Sequence, residues 1–403
     1  MKKSIKHCRI CGGKTLSPVL DLGMQPWGNN FLRFDEVGSE PKYPLRVVFC
    51  NTCNASQLDH TVKKEIMFVD HTYLSGVTTT LNAHFKTIAA DVDTKYGQLF
   101  SHKNVLDIGS NDGTQLKHYQ ELGWDVLGVE SSLTVADLAK KNGVPTLNKF
   151  FNLDCIKHIN EKFSIINAAG VFFHLEELHS VTEAIKRTLK ANGVFVVQFL
   201  YIKSIFENTA FDQIYHEHLL YYSLETLGKL LGLYDLTIFD AYLTSTHGGQ
   251  MIAFVGHKGH FDRTNRLDKL ISEEIASKCN EISSYYNFSN KIEKMRVTNL
   301  EFLSNAKKEN KKVYGMGAPV KGNTLLNYFG ITTDLISCLL EKNPLRKGLY
   351  SPGTHIPIYL ECEIKDRADI YYVLAWNFKK EILAKNQQLI QEGSEFYFPI
   401  NVD

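Results

Sequence analysis

The chain has 403 residues, 44% of them hydrophobic and 22% charged, with 45 Lys plus Arg against 44 Asp plus Glu for a net charge of +1. That length exceeds one ordinary core and predicts about three domains, and the near-neutral balance leaves no field to hold nucleic acid or an anionic membrane surface. No apolar run approaches a membrane span, and the basic start "MKKSIKHCRICGG" lacks the apolar stretch of a signal peptide, so a cytoplasmic protein, compatible with a monomer, is expected.

Residues 1–80 carry short strand-like pieces, "SPVLDLG" and "YPLRVVFC", and two C-x-x-C pairs, Cys8/Cys11 and Cys50/Cys53. The remaining four cysteines are scattered singly, which fits reduced thiols and not a disulfide framework. Glycines directly after Cys11 allow a tight turn that aims backbone N–H groups at a thiolate. Four thiolates in two such knuckles satisfy tetrahedral Zn²⁺, and a closed Cys₄ shell is structural. His7 and His60 lie near enough in sequence to replace one thiol, but four cysteines are the simpler set.

From 81 to 240 strands and helices alternate, which predicts a doubly wound α/β sheet with ligands at the carboxyl ends of its strands. "NVLDIG" is a buried strand, "SNDGTQLKHYQELG" a loop entering an amphipathic helix, and "WDVLGVE" the next strand, ending in Glu130. "LTVADLAKKNG" is helical, "FSIINAAGVFFHL" runs from a strand into a loop, "LHSVTEAIKRTLKANG" is a helix with an Asn-Gly stop, and "VFVVQFLYI" is a buried strand. The loop "DIGSNDGT" lacks the second and third glycines that admit a pyrophosphate. It keeps an acid at the strand end (Asp107), Gly109 for close backbone approach, and Asn111-Asp112-Gly113 at the turn. Glu130, about 20 residues on, can accept from both ribose hydroxyls. A ligand with a nucleoside, a cationic centre and no phosphate fits, and S-adenosylmethionine is such a ligand. His174, in "VFFHLEEL", is expected at the mouth of the same sheet.

"FDQIYHEHLLYYS", residues 211–223, places Tyr215, His216, Glu217 and His218 side by side among aromatics. Four consecutive polar residues cannot all face solvent on either a strand or a helix. Two readings follow, a hydrogen-bonded cluster at a domain seam or a base shifted toward working pH. Residues 262 to about 310 follow a helical repeat. "KKVYGMGAPVKGNTLLNYFG" then gives strand, glycine loop and helix, and "LISCLLEKN" and "IYYVLAW" add strands, so 241–403 reads as a second, smaller α/β unit. "GMGAPVKGN" reads either as a glycine turn that starts a helix, with Lys321 solvated, or as a phosphate-bearing ligand's site near Lys321 and Asn323, since helix N-termini favour phosphates.

The paired knuckles, "DIGSNDG", "IYHEHLLYYSLETL", "HGGQMIAFV" and "YGMGAPVKGNTLLNYFGI" occur in this order along nearly the whole chain. Together they resemble the sugar C-methyltransferases that act on nucleotide-linked 4-keto deoxysugars. The resemblance implies a Cys₄ zinc domain, a central S-adenosylmethionine-dependent domain and a C-terminal Rossmann-like domain, with the nucleotide sugar held between the outer two. It implies that His218 is the base, that Glu217 orients or polarises an imidazole, and that Tyr215, His174 and Tyr73 (in "HTYLSG") face the acceptor. It also implies cofactor contacts from Asp107, Gly109, Asn111, Asp112, Glu130 and Gln198, and substrate contacts from Asn30, Lys321 and Asn323. Four positions depart from the family pattern. Asp107 stands where Glu is usual, Gln198 where an acid often ends the strand, "PWGNNFL" where apolar-Ala-Asn is usual, and Gly170 where Asn is usual. Three rival functions share some of these features: a sugar O-methyltransferase, a 4-keto-sugar epimerase and a zinc-bearing adaptor.

Overall fold

The computed structural model describes residues 3–69, 74–77 and 79–400. Within these the strands assemble into sheets of four, seven and five strands and a two-stranded ribbon. No helix among the described residues is long and apolar enough to cross a membrane.

The N-terminal sheet is antiparallel and starts from Leu16–Pro26, Lys42–Cys50 and Ser56–Leu58. Its fourth strand, Leu220–Tyr221, comes from far along the chain and pairs with Ser56 and Gln57. The central sheet runs, across its width, 236–244, 250–257, 189–200, 163–169, 104–108, 125–130 and 146–148. Its first five strands in chain order are parallel, and Gln250–His257 inserts antiparallel beside Leu189–Leu200. Asn104–Ile108 is buried along its whole length, as a strand covered on both faces must be, which is why it reads as a short apolar run.

Two expectations are corrected here. The central sheet continues past residue 240, because the hairpin of Leu236–Thr244 and Gln250–His257 closes its edge. The helix expected to stop at Asn192-Gly193 ends at Thr188, and residues 189–200 are strand. Leu189 turns to extended backbone, and the register slips between Leu189 and Val194, so "KANG" is a bulge in a strand.

Helices Asn265–Ser277 and Ile282–Lys308 lead to the C-terminal unit. The longer one packs Tyr285 against Phe49 of the N-terminal sheet (5.2 Å) and Phe206 of the central domain (4.8 Å). Five parallel strands follow, with Val313–Met316 in the middle, 339–341 and 358–360 on one side and 370–373 and 395–397 on the other. The order reverses at Val313–Met316, so a second crevice opens beyond its carboxyl end, where helix Val320–Phe329 begins.

The helix that follows the 215–218 cluster, Leu224–Gly232, is capped from another domain element: buried Glu274 accepts from Leu224 N–H (2.7 Å), Glu225 N–H (3.0 Å) and Asn280 Nδ2 (3.0 Å). Glu274→Ala leaves these donors without their acceptor, and hydrogen bonds to a charged group contribute about 1.5–3 kcal/mol each way of counting. Urea unfolding should show a loss of at least about 2 kcal/mol; an unchanged midpoint would show that water replaces the carboxylate at no cost.

Candidate active site at the three-domain junction

The cofactor end is built by the turn after Asn104–Ile108. Gly109 has φ +68°, and a Cβ there would lie 2.6 Å from Val171 Cγ2, so only glycine lets the two loops approach. Glu130, 4% exposed, accepts from Asn111 N–H (3.1 Å) and Ser132 N–H (2.8 Å) and thereby shapes the loop itself. Asp112 starts helix Thr114–Glu121 by accepting from Thr114 N–H (3.2 Å) and Oγ1 (2.6 Å). Asp107 is buried beside Glu130, and burial together with that neighbouring charge holds its carboxyl well above the usual range. Two buried acids side by side suit a cationic ligand, whose charge would favour the ionised form of Asp107. The hydroxyls of Ser110 and Ser132 and the Asn167 amide nitrogen are buried there without hydrogen-bond partners among the described residues, which suits a polar one. Both properties belong to S-adenosylmethionine.

The segment ahead of the central domain lies over this turn. Ser75 N–H donates to Asn111 Oδ1 and Gly76 N–H to Asp112 Oδ2, both at 2.9 Å. Tyr73 lies outside the described residues. Gln198 does not join the acids. Its oxygen bonds His84 Nε2 (2.9 Å) and its amide bonds Gln250, tying the sheet to helix Thr79–Tyr96.

The catalytic candidates meet where the central sheet touches the N-terminal one. His218 Nδ1–H donates to the Gln213 carbonyl at 2.6 Å, which assigns the tautomer with the lone pair on Nε2. Its ring packs 3.7 Å from Tyr215, 4.8 Å edge-on from Phe173 and 5.1 Å from His174, with the two imidazoles within 15° of parallel. His174 in turn stacks on Phe68 at 5.5 Å. Tyr215, His218, His174 and Phe68 form one column, with Phe173 edge-on to it. His216 faces the other way, edge-on to Tyr43, and burial pulls its pKa down to about 4, so it stays neutral.

Glu217 corrects the expected role. Trp27 Nε1–H donates to its Oε1 at 2.6 Å, and neither His216 nor His218 contacts it. The imidazole is oriented by a backbone carbonyl instead. Glu217 Oε2 and the neighbouring Tyr221 hydroxyl are buried with no hydrogen-bond partner among the described residues, and burial pushes the Glu217 pKa up to about 7. Trp27 was not singled out from the sequence, although the unusual "PWGNN" turn that carries it was.

The C-terminal unit completes the junction. Asn323 Nδ2 donates to the Gly28 carbonyl (2.7 Å), and its buried Oδ1 has no partner among the described residues. Lys321 Nζ sits 3.7 Å over the Trp376 ring and 3.9 Å from Asp212 Oδ2, which also accepts from Trp376 Nε1 at 2.7 Å. Burial lowers the Lys321 pKa to about 8, partly offset by Asp212. Asn30 closes the Trp27 turn through its backbone N–H at 3.0 Å. Asp212 and Trp376 escaped the sequence reading because they are 164 residues apart.

In the N-terminal domain the ligating atoms of Cys8, Cys11, Cys50 and Cys53 lie within 4.8 Å of one another. Ile10 N–H and Gly13 N–H point at Cys8 and Cys11 sulfur (3.4 and 3.3 Å), the knuckle geometry of a zinc thiolate site. The donor set fits Zn²⁺ with no open position, so the metal is structural. His60 stacks on Tyr43 and stays out of the cluster.

Comparison with known proteins accounts for the same three parts. A family model described as "Putative zinc binding domain" matches residues 8–68, a methyltransferase domain matches 82–240, and a C-methyltransferase C-terminal domain matches 245–401. C-methyltransferase NovU of Streptomyces niveus is 27% identical over 404 residues, covering 99% of this chain and 96% of its own. Release factor glutamine methyltransferase of Buchnera aphidicola subsp. Schizaphis graminum is 30% identical over 88 residues, 21% of this chain and 32% of its own. Among solved structures, magnesium protoporphyrin IX methyltransferase of Synechocystis PCC 6803 aligns at 14% identity and a TM-score of 0.35, covering 44% of this chain and 79% of that one.

Glu130→Ala should weaken S-adenosylmethionine binding by about 1.5–3 kcal/mol in calorimetry, the usual range for a charge-assisted hydrogen bond. Unchanged affinity would show that Glu130 serves the loop alone. Glu217 gives a separate test through stability. Its folded pKa of about 7 stands above the ordinary 4.5, so the folded chain holds the proton more tightly than the unfolded one. That contribution is complete at low pH and is lost as pH rises from about 4.5 through about 7. Glu217→Gln should therefore shrink the stability difference between pH 4 and pH 8 by up to about 3 kcal/mol. An identical difference in urea unfolding would place Glu217 in contact with solvent.

Proposed function

We propose that this chain, a member of the S-adenosylmethionine-dependent C-methyltransferase family, methylates the carbon beside the ketone of a nucleotide-linked 4-keto sugar. The observation that carries this reading is His218: an imidazole whose Nδ1–H is held by a backbone carbonyl, in an aromatic column, where the sheet's carboxyl edge meets the other two domains. Carbon becomes nucleophilic only when a neighbouring carbonyl acidifies it, so such an enzyme needs one base and donors for the enolate oxygen. An oxygen acceptor would not need the ketone.

Bound S-adenosylmethionine supplies an electrophilic methyl group, and Asp107, Gly109, Asn111, Asp112 and Glu130 are the residues that would hold it. His218 Nε2 takes the proton from the carbon, and its Nδ1–H bond to the Gln213 carbonyl steadies the imidazolium that forms. Tyr215 and His174, in ring contact with His218, are placed to donate to the sugar or its enolate oxygen, a role extended to Tyr73 by family resemblance. Glu217, with its pKa near 7, is protonated in part at neutral pH and can donate from Oε2. Lys321 and Asn323, at the start of helix Val320–Phe329, and Asn30, in the turn facing it, would hold the nucleotide sugar. The helix end and a buried ammonium both favour a phosphate.

The test separates deprotonation from methyl transfer. With S-adenosylhomocysteine bound and deuterated water as solvent, the wild type should wash deuterium into the carbon beside the ketone. His218→Asn keeps the shape and removes the basic nitrogen, so exchange should fall by about 100-fold or more while donor binding is unchanged. Exchange at the wild-type rate in His218→Asn would move the base elsewhere. A product carrying its new methyl on oxygen would overturn carbon methylation.

A further inference from the structure

The zinc site and His218 are linked through one residue that no motif marks. Gln57 is fully buried and belongs to strand Ser56–Leu58, which leaves the second zinc knuckle. Its side chain reaches back to the first knuckle: Nε2 donates to Cys8 Sγ at 3.2 Å and Oε1 accepts from Arg9 N–H at 2.8 Å. Its backbone pairs with Leu220, and the next residue, Leu58, donates its N–H to the Leu219 carbonyl at 3.0 Å. Leu219 and Leu220 are the residues directly after His218. On their other side both donate to the Phe173 carbonyl (2.9 and 3.3 Å), beside His174. The chain that carries the two imidazoles is thus suspended between a zinc thiolate shell and the mouth of the central sheet.

We infer that Gln57 is a positioning residue that transmits the geometry of the zinc shell to His218. The bonds to Cys8 and Arg9 set how closely strand Ser56–Leu58 lies against the first knuckle. The bridge to Leu219 and Leu220 then sets the height of the His218 ring in its column. Arg9 reinforces the same strand, its guanidinium donating to the Leu58 carbonyl (3.2 Å) and Thr61 Oγ1 (2.9 Å). The closed metal site, remote from any donor or acceptor role, thereby acts on the reaction through the backbone.

The inference rests on the reading of His218 as the base for its kinetic arm, but not for its metal arms. Exchanging zinc for cadmium, a larger ion, should move the His218 ring resonances of the wild type measured with S-adenosylhomocysteine bound. In Gln57→Leu, which keeps bulk and removes both side-chain bonds, the same exchange should leave those resonances in place. The variant should also release zinc to a chelator about 10–100-fold faster, the usual effect of losing a partner of a metal ligand. Its deuterium-exchange rate should fall while donor affinity and the KM for the sugar nucleotide hold. If Gln57→Leu does not fold, the metal exchange in the wild type decides alone: resonances unmoved by cadmium overturn the coupling. Equal movement in wild type and Gln57→Leu would overturn the assignment to Gln57. Loss of exchange in His218→Asn is a separate measurement, so failure of the base assignment and failure of this inference remain distinguishable.

Discussion

The main chain from Leu219 to Tyr222 is bonded on both sides, and the rest of the site hangs on that fact. Leu220–Tyr221 is a strand of the N-terminal sheet, while Tyr222 bridges to Tyr201 at the end of a central strand. Sharing one segment between two sheets removes the hinge that a linker would leave between domains. A side chain carried beside such a segment, as His218 is, keeps its distance to groups on both sides. For a reaction whose rate depends on near-attack geometry, that rigidity counts for more than any single contact.

The same junction tolerates an unusual density of buried polar atoms. Glu217 Oε2, Tyr221 hydroxyl, Lys321 Nζ, Asn323 Oδ1 and Asp212 Oδ1 all lack hydrogen-bond partners among the described residues. Each such atom costs roughly 1–3 kcal/mol in the folded state. Three domains converging around one volume supply the compensating apolar burial, with Trp376, Phe211 and Tyr222 among the largest fully buried side chains nearby. Atoms left unpaired in this way are ready to meet a polar ligand without first giving up protein bonds.

Several departures from expectation share one cause, which is that contacts distant in sequence outrank local pattern. "KANG" has the residues of a helix stop, but pairing with the neighbouring strand takes it into the sheet as a bulge. Glu217 sits between two histidines in sequence and bonds neither, because a tryptophan 190 residues earlier reaches it first. Gln198 stands where an acid would face a donor and is held instead by His84 and Gln250.

What the sequence determined alone were the features written in local spacing. Two C-x-x-C pairs specify a zinc shell, because thiolate geometry needs only short loops. Alternating apolar strands and amphipathic helices specify a doubly wound sheet, because period and burial are read residue by residue. The Asp107–Gly109–Glu130 group was legible because strand–turn–helix units place those positions at one edge whatever surrounds them. The crowding of Tyr215, His216, Glu217 and His218 announced partial burial but not its outcome. Only the tertiary structure decided which imidazole joins the aromatic column, which carbonyl its Nδ1–H meets and which indole holds the carboxyl. Only it joined Asp212 to Trp376, Asn323 to Gly28 and Gln57 to the strand after His218. Those pairings depend on how three sheets stack, and stacking is governed by the sum of many buried surfaces, which no short stretch of sequence contains.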